Sequence, residues 1–272
     1  MKELKVLCFS PMGSTQRVAE AIVKGLGVDS VRWIDLTLPQ NRESQIEFEA
    51  DDLVLMAYPV YAGRIVRVPR YYLKGLIGNG ARVITLVTYG NRAYDDALLE
   101  LTHLVKKAGF EQIAAAAFSC EHSFGINLGT GRPDQNDLSI AQGFGEQIRS
   151  KVLCLSGEQV ISEKVFHPHK SLADIPGEYP FKTQFRHDFG GPLVPETSSA
   201  CIQCGLCANN CPVEAIDAFN SKETDKNRCI TCFRCIRRCP VSAREISLLD
   251  FVEHAEWLSL TYQTPKQAEL FM

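Results

Sequence analysis

The sequence predicts a doubly wound α/β domain on a five-stranded parallel sheet, followed by a small α+β domain organised by cysteines. Three observations predict it. Short apolar runs alternate with helical patterns over residues 1–155, the pattern of a parallel sheet covered on both faces. Loops bearing glycine, hydroxyl or aromatic residues follow the first, third and fourth of those runs, at the carboxyl ends of the strands, where such sheets take ligands. Eight of the eleven cysteines then crowd into residues 201–239, in two copies of one spacing. The divisions expected are 1–155 for the sheet domain, 156–195 for a linker, 196–249 for the cysteine domain and 250–272 for a helical tail.

Taken in order, Lys5–Phe9 is a short buried strand by length. Ser10-Pro11-Met12-Gly13-Ser14-Thr15 follows, and then Val18, Ala19, Ile22, Val23 and Leu26 fall on one helical face, with Gly25 and Gly27 as its end. Val31–Leu36 reads as the second strand and Leu53–Tyr58 as the third, which ends in Pro59-Val60-Tyr61-Ala62-Gly63-Arg64. Val83–Val87 is the fourth, ending in Thr88-Tyr89-Gly90-Asn91-Arg92-Ala93-Tyr94. A helix over about 95–107 stops at Gly109, and Ile113–Ser119 is the fifth strand. Residues 120–137 form a polar loop at the same rim, with His122 in it, and a helix from about 137 to 155 closes the domain.

The first loop offers backbone N–H groups at a helix start together with serine and threonine hydroxyls, which suit a phosphate. It lacks the lysine of a nucleoside-triphosphate loop, so a phosphate monoester fits better than ATP. A plainly capped helix start would use the same residues. With the loops after the third and fourth strands at the same rim, residues 1–155 resemble flavodoxins. The resemblance implies FMN, its phosphate held by Ser10, Met12, Gly13, Ser14 and Thr15. It implies that loops 59–64 and 88–94 flank the isoalloxazine, with Tyr61 and Tyr94 as stacking rings. The chain departs from that family in three ways. Met12 stands where threonine is common, the second loop has no tryptophan, and Arg64, Arg67, Arg70 and Arg92 replace the acidic surroundings of many flavodoxins. Arg64 and Arg92 are therefore expected beside the ring, where their charge would raise the potential of its last reduction step.

Residues 156–199 have few periodic segments and five prolines, with His167-Pro168-His169, Pro176-Gly177 and Gly190-Gly191-Pro192. Such a stretch reads as a linker. Its aromatics, Phe166, Tyr179, Phe181, Phe185 and Phe189, argue that it packs on a surface. The two histidines have no third ligand nearby and read as solvent-facing.

Cys201, Cys204, Cys207 and Cys211 precede Pro212, and Cys229, Cys232, Cys235 and Cys239 precede Pro240. Both runs spell C-x2-C-x2-C-x3-C-P. Three cysteines on one tight loop can cap three irons of a cubane, and the fourth ligates the other cluster. The ligand sets expected are Cys201, Cys204, Cys207 with Cys239, and Cys229, Cys232, Cys235 with Cys211. Zinc also uses C-x2-C pairs, but the third cysteine of each run would be idle. A disulfide framework suits short secreted chains. The stretch resembles the bacterial two-cluster ferredoxins. After it, Leu248, Val252, Ala255 and Leu258 trace a helical stripe with Trp257 beside it, expected to dock on a neighbouring domain.

The bulk numbers exclude several classes. The 272 residues are 45% hydrophobic and 22% charged, with net charge −3. No run of 18 apolar residues marks a membrane span. The N-terminus has no signal-peptide pattern, so a cytoplasmic protein is expected, in an anaerobe or a reducing cell. No concentrated basic face points to nucleic acid. No glycine-rich dinucleotide fingerprint is present, which disfavours NAD(P)H as direct donor.

The order of parts resembles a family of flavodoxin–ferredoxin fusion proteins of anaerobic bacteria and archaea. It implies an electron-transfer flavo-iron–sulfur protein carrying FMN and two 4Fe–4S clusters and docking a redox protein partner; a homo-oligomer stays open. Two rivals remain. One is an FMN-dependent reductase of a small molecule, with Tyr61, Tyr94 or His122 as proton donor. The other is a redox-sensing module. A flavin face sealed by the cysteine domain would mean relay, and a cavity beside it would mean substrate.

Overall fold

The computed structural model describes residues 3–42, 46–124, 127–154, 170–177 and 193–272. His167-Pro168-His169, Gly190-Gly191-Pro192 and the five linker aromatics lie outside the described residues.

Five parallel strands form the first domain: β1 (Leu4–Cys8), β2 (Val31–Asp35), β3 (Leu53–Tyr61), β5 (Arg82–Tyr89) and β6 (Glu111–Ser119). Their order across the sheet is β2-β1-β3-β5-β6, the flavodoxin-like order once the short β4 (Arg64–Ile65) is set aside. β4 folds back on the end of β3 as a hairpin, with Ala62 and Gly63 both at positive φ in its two-residue turn. Helices α1 (Ser14–Leu26), α2 (Arg67–Leu73), α3 (Ala97–Lys107) and α4 (Gln135–Cys154) connect and cover the sheet. Each face carries its own apolar core. Phe9, Phe48, Tyr58, Leu101 and Phe110 lie on one side, and Val18, Ile22, Phe118 and Phe144 on the other. Both faces being buried explains why the strands read as continuous apolar runs.

Gly25 does not end the first helix, as its sequence suggested. It lies inside α1 at the crossing with α4, where a Cβ would come 1.9 Å from the Gln142 carbonyl oxygen. Gly27, left-handed at φ 56°, is the cap.

The cysteine domain has little regular structure. β7 (Glu196–Thr197) pairs antiparallel with β8 (Arg244–Glu245), and α5 (Leu206–Asn209) and α6 (Arg234–Arg237) each follow the second cysteine of a motif. The two halves repeat in backbone as well as in sequence. Gln203, Gly205 and Glu214 take positive φ in the first half, and Thr231, Phe233 and Ser242 do so at the matching places in the second.

The tail returns to the first domain. After α7 (Leu249–Thr261), β9 (Glu269–Phe271) adds to β6 as an antiparallel edge strand, so the five parallel strands gain a sixth neighbour. Lys170 to Gly177 packs on the same edge, with Ile175 in the core. Ala255 and Leu258 of the expected α7 stripe are buried, but Phe251 completes it, and Val252 and Leu248 are exposed.

Candidate functional site

The eight motif cysteines line two cavities, and each cavity takes cysteines from both runs. One is walled by Cys229, Cys232 and Cys235 together with Cys211. The other is walled by Cys201, Cys204 and Cys207 together with Cys239. The fourth cysteine of each run therefore crosses to the other half. All eight thiols are free. Among the described residues no three Cys, His, Asp or Glu side chains converge closely enough to hold one metal ion. The thiols instead surround a space, which is what a cube of irons needs. The crossing cysteines are held alike: the Ala215 amide donates to Cys211 Sγ and the Ala243 amide to Cys239 Sγ, each at 3.2 Å. Burial pushes the Cys232 thiol up to about 12 and the Cys235 thiol up to about 11. Loading this loop must therefore release protons.

The cavities differ in surroundings. Around the Cys201 loop, Cys204 is exposed and Ile202 and Leu206 show 62% and 43% of their surface. Cys232 in the other loop is buried, and the residues after it reach the rim of the α/β domain. Phe233 stands where the first half has Gly205. Its ring lies 4.7 Å from Phe124 and 5.6 Å from Phe251. Arg234, where the first half has Leu206, is buried and donates from Nη1 to the Pro11 carbonyl of the first rim loop. Arg42 reaches back from the α/β domain to the Pro212 carbonyl, and Arg67 to the carbonyls of Asn227 and Arg228.

The rim brings the three expected loops together, though not every residue plays its expected part. Gly13 is left-handed at φ 88°, with nothing within 4 Å of where a Cβ would stand. Behind it the first-turn amides of α1 have no carbonyl ahead of them. Ser10 Oγ accepts from the Gln16 amide, and the Ser10 amide donates to Thr37 Oγ1, which fixes the loop. Met12 and Ser14 are partly exposed. Thr15 differs from the expectation: its hydroxyl is buried against that of Thr88 at 2.7 Å, tying α1 to the end of β5.

In the second loop, Pro59 and Gly63 are buried and Val60, Tyr61 and Ala62 partly so. Tyr61 Oη is buried without a partner, as is Arg234 Nε. Burial pushes the Tyr61 hydroxyl well above its ordinary range, Cys232 adds to this and Arg234 opposes it. Arg64 is buried and engaged within the fold. Its Nε and Nη2 donate to both oxygens of Glu100 at 2.9 and 2.6 Å, and the Ile65 amide donates to the same carboxylate. A bidentate buried partner holds the guanidinium toward α3, and Arg70 shares the same carboxylate at 3.4 Å.

The third loop departs most. Gly90 is covered by His122, whose Cδ2 lies 2.3 Å from where a Cβ would stand. Asn91 is buried and fully engaged. Its Nδ2 donates to the carbonyls of Tyr262 and Thr264, and its Oδ1 accepts from Ser119 Oγ and the Lys266 amide. It is a bolt for the C-terminal tail, with no side-chain hydrogen bond left for a ligand. Tyr89 and Tyr94 pack on each other at 5.4 Å within the core, so Tyr94 is not a free stacking ring. Arg92 pairs with Asp95. The motifs gave no sign of Arg234, Phe124, Phe233 or the tail at this rim. The one available signal was the departure of the second cysteine half from the first.

Residues 200–243 match the family model described as 4Fe-4S dicluster domain. Among solved structures the chain is similar to a flavodoxin from the domain Archaea, at 15% identity over 56% of this chain and 99% of that one, TM-score 0.38. It is similar to a Fusobacterium nucleatum flavodoxin bound to flavin mononucleotide, at 16% identity over 56% and 99%, TM-score 0.40. It is also similar to the rubredoxin oxygen:oxidoreductase of the anaerobe Desulfovibrio gigas, at 13% identity over 58% of this chain and 38% of that one, TM-score 0.43. No curated protein matches. No helix among the described residues is long and apolar enough to cross a membrane. The chain joins a doubly wound sheet of flavodoxin-like strand order to a segment, residues 200–243, that matches the 4Fe-4S dicluster domain model.

Proposed function

We propose that the chain is an internal electron relay, with two 4Fe–4S clusters in the cysteine cavities and one FMN at the rim of the sheet. The clusters would supply one-electron chemistry and the flavin one- or two-electron chemistry, so the pair would join the two kinds of traffic. The observation that carries this reading is the orientation of the cysteine domain. Its inner loop is seated on the rim through Arg234 and Phe233, while the Cys201 loop faces outward with an exposed cysteine and apolar neighbours. A redox protein partner would dock on that outward apolar face.

The residues present fit the flavin. Gly13 leaves room at a helix start, where backbone amides suit an anion, and Ser10 and Ser14 add hydroxyls. Arg234 brings a cation to a loop with no lysine, and Tyr61 Oη and Arg234 Nε are orphaned polar atoms that a flavin could satisfy. What these side chains do is hold, orient and exclude water. Proton donation is poorly served. Burial raises the hydroxyls of Tyr61 and Tyr94, and it lowers His122 to about 4, which leaves that ring neutral. Reduction of a small substrate at the flavin is the weaker reading for that reason.

The test is anaerobic reconstitution with counts of iron, sulfide and flavin, followed by stopped-flow reduction by a one-electron donor protein. Cys232→Ala, which removes an inner ligand, should slow flavin reduction by tenfold or more. Flavin reduction at the wild-type rate in that variant, recovery of FAD, or no flavin in the wild type would refute the relay.

A further inference from the structure

The two halves of the cysteine domain diverge again just after their prolines. The first reads Cys211-Pro212-Val213-Glu214-Ala215-Ile216 and the second Cys239-Pro240-Val241-Ser242-Ala243-Arg244. Ile216 is buried, as the repeat requires, and Arg244 in its place is buried further, at 3% exposure. A buried guanidinium is costly unless its N–H groups find acceptors and a negative charge lies close. Arg244 has the acceptors. Nη1 donates to Ser221 O at 2.7 Å, Thr197 Oγ1 at 3.1 Å and Cys207 Sγ at 3.9 Å. Nη2 donates to Thr224 Oγ1 at 2.6 Å and Pro195 O at 3.3 Å. Nε is buried and unpartnered. Among the described residues no carboxylate pairs with it.

Those partners belong to both cavities. Ser221, Cys207 and Arg244 itself wall the outer one, and Thr224 and Pro195 wall the inner one. The charge and a hydrogen bond of Arg244 also act on Cys235 of the inner cavity. One guanidinium thus lies in the partition between two sites that each gather four cysteine sulfurs. The negative charge missing from its surroundings is the charge a 4Fe–4S centre would bring, and reduction adds one more unit of it.

We propose that Arg244 is a shared positioning charge that raises the reduction potentials of both iron–sulfur centres. The inference rests on the assignment of two clusters and not on the flavin.

The experiment is an anaerobic potentiometric titration followed by electron paramagnetic resonance, on the full chain. It compares wild type with Arg244→Ile, Arg244→Gln and Arg244→Lys, each first assayed for iron and sulfide. In loaded Arg244→Gln and Arg244→Ile, both centres should shift at least tenfold toward the oxidised form, about 59 mV for a one-electron step. Arg244→Lys should keep most of the wild-type potentials, and the shift in the neutral variants should persist at high salt, because the charge is buried. Potentials within threefold of wild type in loaded Arg244→Gln, or a shift of one centre alone, overturn the proposal. Loss of iron from all three variants overturns it too, since the residue would then be holding the loops by its hydrogen bonds. A wild type with fewer than two centres overturns the cluster assignment, and this inference with it.

Discussion

Phe233 is where the structure makes its sharpest energetic demand. It caps α6 in the left-handed region at φ 62°, where the first half places Gly205 at φ 73°. For a residue with a Cβ that region costs about 1–2 kcal/mol. The ring recovers the cost by packing at 4% exposure among Phe124, Phe251, Leu193, Ile236 and Ile246. Truncating a buried phenylalanine costs about 3–5 kcal/mol in a full core. In this small cluster, with partly exposed neighbours, about 2–4 kcal/mol is expected. Phe233→Ala loses that packing and keeps the strain. Phe233→Gly loses the same packing and relieves the strain, but gives the unfolded chain about 0.4–1 kcal/mol of extra freedom. Glycine should therefore be the more stable of the two by about 0.5–1 kcal/mol, the reverse of its usual rank. At about 2–4 °C per kcal/mol for a chain of this size, Phe233→Ala should melt roughly 5–15 °C below wild type and Phe233→Gly about 1–4 °C above Phe233→Ala. Anaerobic thermal melts of the three loaded proteins at one scan rate decide it. An alanine variant as stable as the glycine variant would refute the strain argument. A wild-type melt in both variants would refute the packing argument.

Cys211→Ala should remove the cluster of the Cys229 loop and spare that of the Cys201 loop, roughly halving the iron content of about eight. Loss of the Cys201 loop's centre instead would contradict the crossed cavities. Arg64→Gln should change the flavin's reduction potential by less than about 20 mV, because the guanidinium is held on Glu100 of α3 and not on a ligand loop. It should lower stability by about 1–3 kcal/mol, since the buried carboxylate then keeps Arg70, at 3.4 Å, and the Ile65 amide but loses its bidentate partner. A shift in flavin potential on titration would show that Arg64 reaches the ring after all. His122 is held at about 4 by burial first, then by His254 and Arg92. Its folded value lies below its unfolded one of about 6.5, so the unfolded chain binds more protons between the two. Its contribution is full above about pH 6.5 and is lost as pH falls through 4, on the order of 3 kcal/mol. His122→Phe should flatten that part of the stability–pH curve, and an unchanged slope would remove His122 as its source.

Much of this protein was legible in the order of its residues. The five parallel strands, their covering helices and the three ligand-rim loops follow from short-range periodicity and turn chemistry, which one strand or helix expresses within itself. The crossed cysteine sets follow from spacing, because three thiols on a tight loop leave the fourth out of reach of the same cube. Roles that depend on distant partners were not legible. Arg64 looked like a rim cation until Glu100 claimed it, and Asn91 looked like a flavin ligand until the carbonyls of Tyr262 and Thr264 occupied its amide. The tail's return as β9, and the seating of Arg234 on the Pro11 carbonyl, likewise join residues far apart in the chain. A buried polar group takes whichever partner the fold brings to it. The residue types announce that such a bond must exist, and only the tertiary packing selects its other end.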